Sequence, residues 1–185
     1  MFASVLCLLL LAVVGLGPMV ALASPATPVV NTSSLSWTPA PDHQTTCESP
    51  ATFASDPSLE PADWRECAAM YSSWAAENGT FRLLPGKKLG GTGGENDETV
   101  AAQEGGDNGG PVVLLRETDC VLAVRPMDPT KAPFTVGDRD VYMLLGESLK
   151  KFSHGTEVAV SGVVKCADVG GEKAGLMWQL AKTVE

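Results

Sequence analysis

Groups that do chemistry are scarce in this chain. Only two histidines occur in 185 residues, His43 and His154. Neither sits in HExxH, and there is no GxSxG or other catalytic signature, so no catalytic residue is nominated. No CxxC is present, which removes zinc ribbons and redox dithiols and leaves no metal site to propose. Bases are also few, 13 Lys and Arg against 22 acids, for a net charge of -9. Nonspecific nucleic-acid binding and anionic-membrane binding both need a basic face to meet phosphates, so neither is expected. After the first 23 residues no apolar run reaches the roughly 20 residues that span a bilayer.

What is present begins with a signal peptide over residues 1–23. An apolar run at 5–14 is followed by Gly15, Gly17 and Pro18, then by Ala21-Leu22-Ala23, a small-x-small cleavage site before Ser24. The run is too short for an anchor, and no basic stop-transfer cluster follows it. Its amino-terminal flank lacks Lys and Arg, a departure from the usual pattern. Cleavage removes Cys7 and leaves Cys47, Cys67, Cys120 and Cys166. An even number in an oxidising compartment predicts two disulfides, with all three connectivities open. The separations of 20, 53 and 46 positions tie distant segments together. A loop of about 50 residues closed by one bridge contributes roughly 4 kcal/mol in the chain-entropy model.

Two stretches look loose. Residues 24–46 are rich in Pro, Ser and Thr and read as an irregular leader, with a Leu35/Trp37 alternation suited to pairing at a sheet edge. Trp37 is there the one candidate for an exposed aromatic contact. Residues 86–111 hold nine glycines, five acids and four apolar residues, a composition that cannot repay its ordering entropy. They read as a disordered insertion between two strands. Their Gly runs lack the GK[ST] of a phosphate loop, and their acids miss calcium-loop spacing. Sequons at Asn31 and Asn78 are candidate N-glycosylation sites.

Between these stretches lie ordered elements. Pro61 suits an early helix position, and Trp64, Cys67, Ala68, Tyr71, Trp74 and Ala75 recur at helical spacing up to Asn78-Gly79. Strands are expected at 80–84, 112–115 and 120–124, the last two separate or as one bulged strand. A second helix over 138–153 buries Val141, Leu144, Leu145, Leu149 and Phe152, and His154 caps its carbonyl end. A final hairpin places Val158, Val160, Gly162, Val164 and Cys166 on one face, answered by Leu176, Trp178 and Leu180. Two helices packed on an antiparallel sheet hide every apolar face, so the class is α+β. Trp64, Trp74 and Trp178 are expected in that core. Acids are plentiful enough for a glycosidase pair, but solvated carboxylates are the surface default and none is singled out.

The cysteine-bearing segments also form one ordered pattern. CESPATFASDPS at Cys47, DWREC at Cys67, TDCVLAV at Cys120, VGDRDVYMLLGESLKKFSHGTEVAVSGVVKC ending at Cys166, and LMWQL around Trp178 follow one another. Together they resemble the fungal secreted necrosis-inducing effectors homologous to extracellular protein two of a tomato leaf-mould pathogen. The resemblance covers residues 47–182, read as the effector-like domain. Glu48, where the family usually has Gly, and the 86–111 insertion depart from it. The resemblance implies a killer-toxin-like α/β sandwich, a structural role for Cys47, Cys67, Cys120 and Cys166, no cofactor, and a secreted protein of the host apoplast. Its partner would be an unknown plant-host protein or cell-surface target, met without catalysis. An antimicrobial action on competing microbes is the alternative, and a secreted cell-wall hydrolase the third.

Overall fold

A computed structural model describes residues 34–84, 110–153, 155–168 and 170–182. The expected signal peptide, Asn31, His154 and all of the Gly/acid-rich insertion up to residue 109 lie outside the described residues. In chain order the elements are β1 (Leu35–Pro39), β2 (Ala54–Ser55), β3 (Ala62–Asp63), α1 (Trp64–Trp74), β4 (Gly79–Leu83), β5 (Val112–Glu117), β6 (Cys120–Pro126), β7 (Phe134–Gly137), α2 (Asp138–Phe152), β8 (Glu157–Val158), β9 (Val160–Asp168) and β10 (Lys173–Ala181). The main sheet runs β1-β4-β7-β9-β10-β6-β5 with every pairing antiparallel, and β2 adds to β9. The expected α+β class is therefore what the chain adopts. α1 packs on β5 and β6, α2 on β4 and β7, and the two helices touch.

Strand alternation decides what faces the helices. Leu35, Phe81, Leu83, Phe134, Val136, Val160, Val164, Cys166, Leu176, Trp178 and Leu180 are all buried on one side. Each carries a β-branched, aromatic or long apolar side chain or a paired cysteine, so period-2 burial fixes the register. α1 begins later than Pro61 implies, because Ala62 and Asp63 first pair with β8. Asp63 then caps the helix, accepting from the Arg65 amide at 2.8 Å. The inward stripe of α1 is Cys67, Met70 and Trp74, while Ala75 is exposed and Trp64 half-buried.

Residues 34–46 belong to the sheet assembly rather than lying outside it as a leader. Leu35 and Trp37 alternate as expected and pair with Leu83 and Phe81 at the sheet edge. Trp37 is not an exposed contact, since its ring lies 5.1 Å from Trp74 and 4.7 Å from Phe81. The chain then follows β9 in the opposite direction, bonding Thr46 to Ala167, Glu48 to Lys165, Thr52 to Val163 and Asp56 to Ala159. Gly162 makes that approach possible: a Cβ there would stand 1.9 Å from the Thr52 carbonyl oxygen. β7 was not expected from the pattern, yet it joins the β1-β4 pair to β9.

Candidate functional site

The cysteines sit where these segments converge. Cys47 bonds Cys166 of β9, with Cα atoms 3.9 Å apart, and so pins the edge segment to the sheet. Cys67, in the first turns of α1, bonds Cys120 at the start of β6. Of the three connectivities open from sequence, this pairing ties one helix and one extended segment to the same sheet. Cys67, Cys120 and Cys166 are fully buried and Cys47 nearly so.

Beside Cys47 lies the most polar part of the interior. α2 starts Asp138-Arg139-Asp140, and both aspartates are buried at 2% and 4% exposure. A helix N-terminus offers unpaired amides and the positive end of the dipole, so carboxylates are stable there. Asp140 turns Oδ2 to the amides of Thr46 (2.7 Å), Cys47 (3.1 Å) and Gly137 (3.0 Å), and to the Thr46 hydroxyl (3.1 Å). Asp138 accepts from the amides of Gln44 (2.7 Å) and Gly79 (3.0 Å), and its backbone carbonyl accepts from Trp74 Nε1 at 3.2 Å. Burial pushes the Asp138 carboxyl up, but the Gly79 and Gln44 amides and the His43 ring outweigh it. The carboxyl consequently lies below its ordinary range.

Among the described residues His43 is the one imidazole in this cluster, a group of the type that can act as a general base. Its Nδ1 meets Asp138 Oδ2 at 2.6 Å, and the ring is partly open to solvent. An oriented imidazole on a buried carboxylate is the base half of a nucleophilic triad, but a triad needs a nucleophile within hydrogen-bond reach. Among the described residues the other ring nitrogen has no such partner. The arrangement instead suits a latch: it fastens residues 43–47 to the start of α2. Gly79 belongs to the same latch, at φ +154, where a Cβ would stand 2.4 Å from the Thr38 carbonyl oxygen.

Three other places bear on function. A cleft of about 270 Å³ is lined by Ser55, Asp56, Leu59, Phe152, Glu157 and Ala159, among others. Its Asp56 accepts from the Ser58 hydroxyl (2.6 Å) and amide (3.1 Å) and from the Ser161 hydroxyl (2.8 Å). The Ser58 and Ser161 hydroxyls, then the Ser58 amide, hold it below the ordinary range against burial. A glycosidase acid needs the reverse shift, so Asp56 is a poor proton donor. Tyr71 and Tyr142 stack at 4.4 Å across the two helices, and the Tyr142 hydrogen bond, with burial and its charge, pushes the Tyr71 phenol up to about 12. Asn78, the second sequon, lies half-buried between α1 and β4 with Oδ1 enclosed and unpartnered. Among the described residues no cluster of His, Cys, Asp and Glu could hold a metal ion.

Sequence reasoning found the four cysteines but missed Asp138, Asp140 and the engagement of His43. Their signal was local: acids in the first turn of a strongly amphipathic helix, after Gly137. No curated protein matches the chain. The Hce2 family, described as "Pathogen effector; putative necrosis-inducing factor", matches residues 46–166. That stretch opens at the residue Asp140 holds and closes on the cysteine that pairs with Cys47. It therefore spans both disulfides and the Asp138, Asp140, Gly79 and Gly137 part of the latch, with His43 and Gln44 just before it, and the chain belongs to the Hce2 family of pathogen effectors.

Proposed function

We propose that this protein is secreted, with residues 1–23 removed, and acts in a plant host as an effector that binds a target without catalysis. The observation that carries this reading is the occupation of its polar interior. Asp138 and Asp140 are filled by main-chain donors from residues 44, 46, 47, 79 and 137, and the four cysteines are paired. Groups placed in this way fix a surface and are not free to turn over a substrate. Two disulfides accord with an oxidising, extracellular setting. Among the described residues no helix is long and apolar enough to cross a membrane. Asn31 and Asn78 are the acceptors if the secreted form carries N-glycans.

The test is infiltration of purified protein beginning at Ser24 into leaf panels, beside a quadruple Cys→Ala variant and His43→Ala. Local cell death with the first and third, and none with the second, is the expected result. A folded protein that elicits nothing in any host genotype would count against the effector reading. Loss of the response in a folded His43→Ala variant would count against binding without catalysis. Inhibition of competing microbes without a plant response would instead favour the antimicrobial alternative.

A further inference from the structure

The side of the sheet turned away from the helices has the opposite charge to the whole protein. The registers place Arg82, Arg116, Arg125, Lys165 and Lys173 on it, with Ser36, Thr135, Val163, Met177 and Gln179 between them. Among the described residues no Asp or Glu takes a strand position on this face, in a chain of net charge -9. Arg82, Lys165 and Arg125 are exposed, and none of these three has an ion-pair partner among the described residues. Met177 and Met127 are exposed beside them, with the Met177 sulfur 3.3 Å from the Arg125 guanidinium.

The three cations fall in a row. Arg82 lies opposite Thr135 and Thr135 opposite Ala167, two residues along β9 from Lys165. Lys165 lies opposite Gly175, two residues along β10 from Met177, which faces Arg125. Each step crosses two strands and two residues, roughly 12 Å at ordinary strand spacing and rise. The row is therefore about 24 Å long, the reach of about seven extended residues.

We propose that this face docks an extended acidic segment of a protein partner, its carboxylates seated on the Arg82, Lys165 and Arg125 row. The proposal rests on the reading of the protein as a target-binding effector. Every strand-borne aromatic (Trp37, Phe81, Phe134 and Trp178) is on the helix side, so among the described residues the strands of the outer face offer no platform for stacking bases. Among the described residues this face also has no strand-borne Trp or Tyr to anchor in a membrane interface. Adaptable methionines beside unpaired guanidinium and ammonium groups suit a peptide that supplies both carboxylates and apolar side chains.

The probe is poly-L-glutamate of about 20 residues, titrated against full-length mature protein by calorimetry. Wild type is expected to bind, and to lose most of its affinity between about 50 mM and 300 mM salt. Lys165→Glu/Arg125→Glu is expected to bind at least tenfold more weakly with an unchanged Tm. Arg139→Glu/Lys150→Glu, an equal change in net charge placed on α2, is expected to bind as wild type does. Absence of binding, or equal weakening by both double variants, overturns the proposal. Tighter binding of polygalacturonate or phosphatidylserine vesicles does so too, as does a wild-type dimer that the face variant abolishes. Binding that appears only after deletion of residues 86–109 would assign the face to this chain's own acidic stretch and likewise overturn it. None of these readouts uses cell death, so failure here leaves the effector reading standing, and an inert but poly-glutamate-binding protein would refute that reading alone.

Discussion

Asp140→Ala is the perturbation that bears most directly on how residues 43–47 are held. Four donors converge on Asp140 Oδ2, and two of them keep a partner when the carboxylate is removed. The Thr46 hydroxyl still reaches the Thr135 carbonyl at 2.7 Å, and the Gly137 amide still reaches that hydroxyl at 2.9 Å. The amides of Thr46 and Cys47 are left without an acceptor. A buried orphaned donor costs about 1–3 kcal/mol, and water repairs part of that at half-buried Thr46, so the pair is worth about 3 kcal/mol. Losing an anion from the first turn of α2 adds about 0.5 kcal/mol. Asp140→Asn keeps an oxygen in the same place and sacrifices only the charge, so its cost is about 1 kcal/mol.

Urea unfolding with both disulfides intact measures this difference, followed through the fluorescence of Trp74, whose ring donates to the first residue of α2. At a slope of about 2 kcal/mol per molar urea, the Ala midpoint falls by roughly 1.7 M and the Asn midpoint by roughly 0.5 M. Equal losses in the two variants, or a loss below about 1 kcal/mol in Ala, would refute the reasoning. The Cys47–Cys166 bond would then hold the segment without help from the carboxylate.

Asp138 has a folded carboxyl below its ordinary range, so the unfolded chain binds its proton first as pH falls. Its contribution is present in full above the unfolded value and is lost as pH drops through the folded one. Asp138→Asn is accordingly expected to be less stable at neutral pH and to show a shallower decline below about pH 4; a parallel acid limb in thermal melts would contradict this. Gly162→Ala should lower stability by about 2–4 kcal/mol, since the new methyl meets the Thr52 carbonyl and must push residues 51–53 off β9. A near-wild-type melt would show that this segment yields freely. A non-reducing digest should release linked peptides containing Cys47 with Cys166 and Cys67 with Cys120. Removing either pair should cost about 4–5 kcal/mol from loops of 119 and 53 positions, read as a fall in urea midpoint.

How much was legible in the sequence depended on whether a residue's partner was near it in the chain. α2 spans Asp138–Phe152 against an expected 138–153, because its stripe and its first-turn acids lie within the helix itself. The β9-β10 hairpin was equally plain, since each strand alternates over nine residues. β7 was hidden: Phe134–Gly137 is too short for periodicity to register, and its pairing partners lie on β4 and β9. The latch was hidden for the same reason, because His43 and Asp138 are 95 positions apart and each alone reads as an ordinary surface residue. The outer face is the instructive case. Its cations belong to β4, β5, β6, β9 and β10, one to a strand, so no basic run appears along the chain. Net charge summed over all residues then argues against any basic surface. Antiparallel pairing separates what the sum combines: the sheet collects cations at alternate positions on its outer side, while the acids of its strands, Glu117 and Asp168, fall on the helix side. A global charge of -9 therefore constrains solubility and the far field, but it does not decide the sign of the face a partner meets.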